Sequence, residues 1–183
     1  ADLLAYAAQF ASTVKRKAVL ELAEEVSRVA DFEVEHPFED YAFFPMGIPG
    51  YPGTDTGLLE RKRDLFVASP FLSDDVAAQL TGFRGRKTLI TRKASVTPKV
   101  FGAFDHVYIT KDVLSDNEFG AKQDIHAKLY FAAMEDGNYL YIGSANASHN
   151  GFYRNGECLL RLKYKPYQMG FHLFCEEFLP KDG

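Results

Sequence analysis

His126 and Lys128, separated by one residue, are followed by Ser144 and Asn146 and then by Asn155 and Glu157, all within the stretch Asp124–Glu157. Together these groups suit a phosphate. The lysine brings a positive charge without being a metal ligand, the amide and hydroxyl bring donors, and the imidazole is either a nucleophile or a proton carrier. Residues two apart in a strand face one side, so a strand over 126–134 sets His126 and Lys128 on one face and turns Ala127 and Leu129 into the core. Glu135-Asp136-Gly137-Asn138 reads as a hairpin turn, and 139–143 as the returning strand that delivers Ser144 and Asn146 at its end. Residues 144–150 read as a helix start, whose free N–H groups and positive dipole end add to a phosphate cradle. Preorganised donors of this kind hold a phosphoryl group without a metal or other cofactor.

The elements that must position this stretch follow an α/β order. Apolar residues recur at three- and four-residue spacing over 2–30, which predicts one or two amphipathic helices. Residues 31–36 alternate apolar and charged and predict a short half-buried strand ended by Pro37. Residues 41–57 hold Pro45, Gly47, Pro49, Gly50, Pro52, Gly53 and Gly57, and read as a long surface loop, a connector rather than a lid. An apolar strand over 65–68 ends at Ser69-Pro70, and Ser73-Asp74-Asp75 opens a helix through Leu80. Strands follow at 87–92, 104–110 and 156–164, with a short helix at 98–103 and an aromatic-rich terminal helix at 166–179. Strands alternating with helices predict an α/β fold with a mixed, mainly parallel β-sheet flanked by helices, in a single domain over 1–183.

The net charge of −4 argues against coating nucleic acid by bulk electrostatics, but the charge is unevenly spread. Residues 21–40 carry eight acids against Arg28 alone. Residues 81–100 carry Arg84, Arg86, Lys87, Arg92, Lys93 and Lys99 and no acid, which reads either as a nucleic-acid track or as solvated strand ends. Tyr130, Tyr139, Tyr141, Phe152 and Tyr153 either stack on bases or fill the core. Cys158 and Cys175 are too few for a disulfide scaffold and read as free thiols. No apolar run is long enough to span a membrane and no leader pattern opens the chain, so a cytoplasmic protein is expected. The chain opens at Ala1, which fits a processed N-terminus or a piece of a longer protein equally.

The central stretch resembles the HKD signature of the phospholipase D superfamily, HxK(x)4D(x)6GSxN. The residues that carry the resemblance are His126-Ala127-Lys128 and Gly143-Ser144-Ala145-Asn146, with Asn155-Gly156-Glu157 downstream. Ala133 stands where the pattern has Asp, the gap from Lys128 to Gly143 is longer than the pattern's, and Asp136 lies in the extra turn. The resemblance implies a phospholipase D-like half in which His126 attacks phosphorus to form a phosphohistidine. Lys128, Ser144 and Asn146 then hold the non-bridging oxygens, and Glu157 orients an imidazole. It implies a metal-independent phosphodiesterase, and the basic run, Arg84, Arg86, Lys87, Arg92 and Lys93, points to nucleic acid as the substrate. Phospholipid is the alternative substrate, and a catalytically silent DNA- or protein-binding half-site the alternative role. A second histidine must protonate the leaving group, and His36, His106, His149 and His172 lie in no HxK element. The partner motif is therefore expected from a homodimer or from a preceding half of a longer chain.

Overall fold

The structure, a computed structural model, describes residues 1–110 and 126–179; Asp124 lies outside them. Two helices open the chain, α1 (Asp2–Ala7) and α2 (Thr13–Ser27), joined through a short 3-10 turn. There follow β1 (Phe38–Met46), β2 (Asp64–Ala68), α3 (Asp74–Leu80), β3 (Lys87–Arg92), α4 (Pro98–Ala103) and β4 (His106–Thr110). After the segment outside the described residues come β5 (Leu129–Ala133), β6 (Asn138–Gly143), α5 (His149–Tyr153), β7 (Glu157–Tyr164) and α6 (Phe171–Phe178).

The strands form one sheet in the order β1-β7-β6-β5-β2-β3-β4. Pairing is parallel between β2 and β3 and between β3 and β4, where helices make the crossovers, and antiparallel elsewhere. In direction β1, β2, β3, β4 and β6 run together against β5 and β7, so the expected α/β class with a mixed sheet is observed. The central strands are apolar without alternation because both faces are covered. On one face Leu65, Val67, Leu89, Tyr130, Ala132 and Tyr141 pack against Val76, Ala77 and Leu80 of α3, Val100 of α4 and Phe152 of α5. On the other, Phe66, Phe131, Ala133 and Tyr164 pack against Phe171, Phe174 and Cys175 of α6.

Three local expectations change. Residues 31–36 are irregular, and the strand begins only at Phe38. Tyr41–Met46, expected in a loop, belongs to β1, and Pro45 is accommodated because β1 is an edge strand, where a missing N–H breaks no ladder. The strand expected from His126 starts at Leu129, and Ala127 is exposed rather than in the core. The cause lies in the neighbour: Leu129 pairs with Ala68, the last residue of β2, and Ser69-Pro70 then turns away, leaving 126–128 without a ladder partner on that side.

Candidate functional site

The carboxyl ends of β2, β3 and β6 and the amino ends of β5 and β7 meet at one edge of the sheet, the edge at which open α/β sheets bind ligands. The hairpin β5–β6 brings the two halves of the motif together there, with Gly143 N donating to Lys128 O over 3.3 Å. Its extra residues lie in the strands and in the turn at the far end, where Met134 N donates to Gly137 O over 2.8 Å, so the longer gap leaves the junction intact. Ser144 is joined to the head of β7 in both directions: its N–H donates to Cys158 O, and its Oγ accepts from Cys158 N, each at 3.0 Å. Gly143 is required at this crossing, since a Cβ there would stand 2.1 Å from Cys158 O.

Lys128, Ser144 and Glu157 thus sit on three adjacent strand ends. His126 and Ser144 are exposed, while Lys128, Asn146 and Glu157 are half-buried. Lys128 Nζ donates to His126 O at 2.8 Å, and His126 makes no side-chain hydrogen bond among the described residues. Asn155 supports the carboxylate, its Nδ2 donating to Glu157 Oε1 over 3.2 Å. Asn146 Oδ1 is buried with no partner among the described residues. An unpaired buried amide oxygen costs about 1–3 kcal/mol; as an acceptor it gains nothing from a phosphate oxygen, to which only the Nδ2 of this amide can donate.

Residues that motif reading passes over do much of the positioning. Tyr130 is fully buried beneath the 144–147 loop and donates its hydroxyl to Ala145 O over 2.8 Å. Burial drives its phenol far above the ordinary value, with the charge of Glu157 adding to the shift, so it remains a donor. Ser69 Oγ accepts from Ala147 N at 3.0 Å and donates to Phe71 O at 2.9 Å, tying the loop after β2 to the loop after β6. Leu72 and Ala147 form a parallel bridge beside it. His149 Nδ1 lies 2.6 Å from Asp75 Oδ2, joining α5 to α3. A hydrogen bond from Ser73 and then the contact with His149 hold the Asp75 carboxyl below its usual range. The partners of Ser69 and Asp75 lie more than seventy residues along the chain, so sequence spacing carries no trace of them.

The helix after β6 is not the expected cradle. It starts at His149, its Gly151 N–H is capped by Ser148 Oγ at 3.2 Å, and its His149 N–H donates to Ser73 Oγ at 2.8 Å. Ala147 is held extended by its bonds to Ser69 and Ser73, which keeps Ser144 and Asn146 in a loop outside the helix. The missing Asp of the pattern also has an account. Ala133 is buried in the α6 layer with Phe131 and Phe174, where a carboxylate would lack a partner. Asp136 occupies the hairpin turn at the opposite edge and accepts from Tyr139 Oη over 2.7 Å.

The basic run is divided by β3, whose six residues separate its ends by roughly 17 Å. Arg84, Arg86 and Lys87 lie at the edge away from the motif; Arg86 pairs with Asp64 at 3.1 Å and Lys87 with Asp105 at 3.7 Å. Arg92 and Lys93 lie at the motif edge. Tyr130, Tyr139, Tyr141 and Phe152 are buried in the core and cannot receive a base. An apolar cavity of about 880 Å³ lies elsewhere, between α1, α2, residues 32–36 and β1 and β7. Among the described residues no group of three His, Cys, Asp or Glu could hold a metal ion, and no helix is long and apolar enough to cross a membrane.

No protein-family model and no curated protein matches the sequence. Solved structures do. The chain is similar to phospholipase D family structures. NucT from Helicobacter pylori matches with a TM-score of 0.49 and 19% identity over 68% of this chain and 85% of that one. Nuc from Salmonella typhimurium, a phospholipase D family member, matches with a TM-score of 0.44 and 11% identity over 69% and 84%. A mutant of yeast tyrosyl-DNA phosphodiesterase matches with a TM-score of 0.48 and 12% identity over 67% of this chain and 31% of that one. None of these reaches a TM-score of 0.5.

Proposed function

We propose that the chain supplies one half of a phospholipase D-type site that cleaves nucleic-acid phosphodiesters without a metal ion. The observation that carries this is the meeting of Lys128, Ser144 and Glu157 on three hydrogen-bonded strand ends beside His126. Lys128, the Ser144 hydroxyl and the Asn146 amide hold the non-bridging oxygens, supplying charge and donors where the transition state gathers negative charge. A ring nitrogen of His126 bonds to phosphorus as the bond to the leaving oxygen breaks. That oxygen departs with the electron pair and takes a proton from a second histidine. Water then attacks phosphorus and yields its proton to that second histidine, and the P–N bond breaks. Glu157, braced by Asn155, fixes the orientation of an imidazole, as a carboxylate does in catalytic triads.

The second imidazole comes from another HxK element. Within this chain His149 is engaged with Asp75, His172 with Glu176 on α6, His106 stands on the outermost strand β4, and His36 precedes Pro37 in the irregular segment. A two-fold pair of chains brings two copies of one surface face to face and supplies the second His126; a preceding half of a longer chain does the same. The exposure of His126 and Ser144 on an open sheet edge fits a site whose second wall is another such half.

Initial rates on a single-stranded oligonucleotide in excess chelator test the proposal. Turnover is expected to survive chelation and to fall at least about a thousandfold in His126→Ala. Unchanged activity in that variant, or activity abolished by the chelator, would overturn it. Cleavage of phosphatidylcholine vesicles without cleavage of the oligonucleotide would move the substrate to lipid.

A further inference from the structure

Phe71 follows Pro70 in the loop that leaves β2 at the motif edge, and 51% of its surface is exposed. A single exposed phenylalanine is ordinary, but this one is fixed from several sides. The Arg92 guanidinium lies over the ring, 3.7 Å from its centroid. Arg92 is itself held there, its Nε donating to Pro70 O over 2.8 Å, and Ser95 Oγ donates to the same carbonyl over 2.6 Å. On the other flank Ser69 Oγ donates to Phe71 O over 2.9 Å while accepting from Ala147 N. The ring and its arginine therefore form one preorganised unit, bonded through Ser69 to the loop that carries Ser144 and Asn146. The end of β2 adjoins the start of β5, since Ala68 pairs with Leu129, so the loop that carries Phe71 leaves the sheet beside the strand end that carries Lys128.

We infer that Phe71 and Arg92 form a stacking platform for an unpaired nucleobase next to the phosphate held by Lys128, Ser144 and Asn146, which makes single-stranded nucleic acid the substrate class. The inference rests on the phosphodiesterase reading above. An aromatic face backed by a guanidinium is the sequence-tolerant receptor that single strands use, whereas a base within a duplex has both faces occupied by its neighbours. Of the aromatic side chains of β5, β6 and α5, Tyr130, Phe131, Tyr139, Tyr141 and Phe152 are buried, and Tyr153, 37% exposed, has its hydroxyl bound to Gln79 of α3, so among the described residues Phe71 is the more accessible ring beside the 144–147 loop. Lys93, exposed and next to Arg92, adds charge for the backbone of the same strand.

Equilibrium binding of the full chain, in its His126→Ala form to prevent cleavage, is measured by fluorescence anisotropy with oligothymidylate and with a base-free deoxyribose-phosphate oligomer of equal length. The oligothymidylate is expected to bind roughly tenfold tighter or more, the size of one stacked base. Phe71→Ala should bring the two affinities together, and Phe71→Trp should restore the difference. Equal binding of both oligomers by the chain with Phe71 intact, or a preference that survives in Phe71→Ala, overturns the platform. If either result accompanies His126-dependent cleavage by the unmodified chain, the phosphodiesterase reading stands while the platform falls. Absence of His126-dependent cleavage removes that reading and the platform together.

Discussion

Tyr130 shows how the site depends on a side chain that no motif names. Its hydroxyl satisfies the Ala145 carbonyl from below, between Ser144 and Asn146, in a position shut off from water. Tyr130→Phe keeps the ring packing and leaves that carbonyl without its donor. Urea unfolding should show a loss of about 1–2 kcal/mol, together with a fall in turnover as the loop loosens. Stability within error of the parent would mean that the bond is not formed in solution. The residue types that suit a phosphate are legible in the sequence because they stand at motif spacing. Tyr130 is legible there only as an aromatic with two possible roles, since alternation along a strand says which face a ring takes but not which carbonyl its hydroxyl meets. Ser69 is invisible for a related reason: its value lies in a contact with Ala147 across the sheet.

At the scale of elements, the hairpin β5–β6 does the assembling, and the short α5 packs against the motif loop and holds it in place. Gly151 lets that helix approach so closely: a Cβ there would stand 2.4 Å from Asn146 O and 3.0 Å from Asn146 N. Gly151→Ala must therefore displace the Asn146 backbone. We expect turnover to drop by roughly tenfold or more, in line with the cost of misplacing catalytic groups by an ångström, while circular dichroism retains the native sheet signal. Full activity in this variant would remove Asn146 from the phosphate site. The hairpin is readable from its turn residues and β2 from its apolar run ending in Ser-Pro. Two things are not. The start of β5 depends on where β2 stops, and the cap of α5 depends on which of several serines the backbone leaves available; both are set by neighbours distant in sequence.

For the whole molecule, the sheet separates what composition had joined. The basic run looks continuous in sequence, yet β3 carries Arg84, Arg86 and Lys87 to one edge and Arg92 and Lys93 to the other, and in the first group Arg86 and Lys87 are engaged with acids and rings. Global stability has its own titration signature at the edge away from the motif. Lys62 is buried there, its ammonium donating to Leu58 O and, over 2.6 Å, to Glu60 O. Burial lowers its pKa from 10.5 to about 8, with Glu60 opposing part of the shift. Between those values the unfolded chain binds the extra proton, so stability rises with pH from about 8 upward. Above about 10 the buried tyrosines work the other way, because their phenols are raised, Tyr141 to about 12, and ionise first in the unfolded chain. Melting temperatures followed from pH 8 to 9.5 should climb in the parent chain and flatten in Lys62→Met; parallel slopes would show that Lys62 keeps its proton when buried.

The central claim is that His126 forms a bond to phosphorus. Thymidine 5′-(p-nitrophenyl phosphate) tests it without the second histidine, because p-nitrophenolate leaves with no proton supplied. The chain is mixed with this diester, quenched under alkaline conditions that preserve phosphoramidates, and analysed by peptide mass spectrometry. A thymidylate adduct is expected on the peptide bearing His126, absent in His126→Ala. Release of p-nitrophenolate with no adduct, or with the adduct on another residue, would contradict the claim.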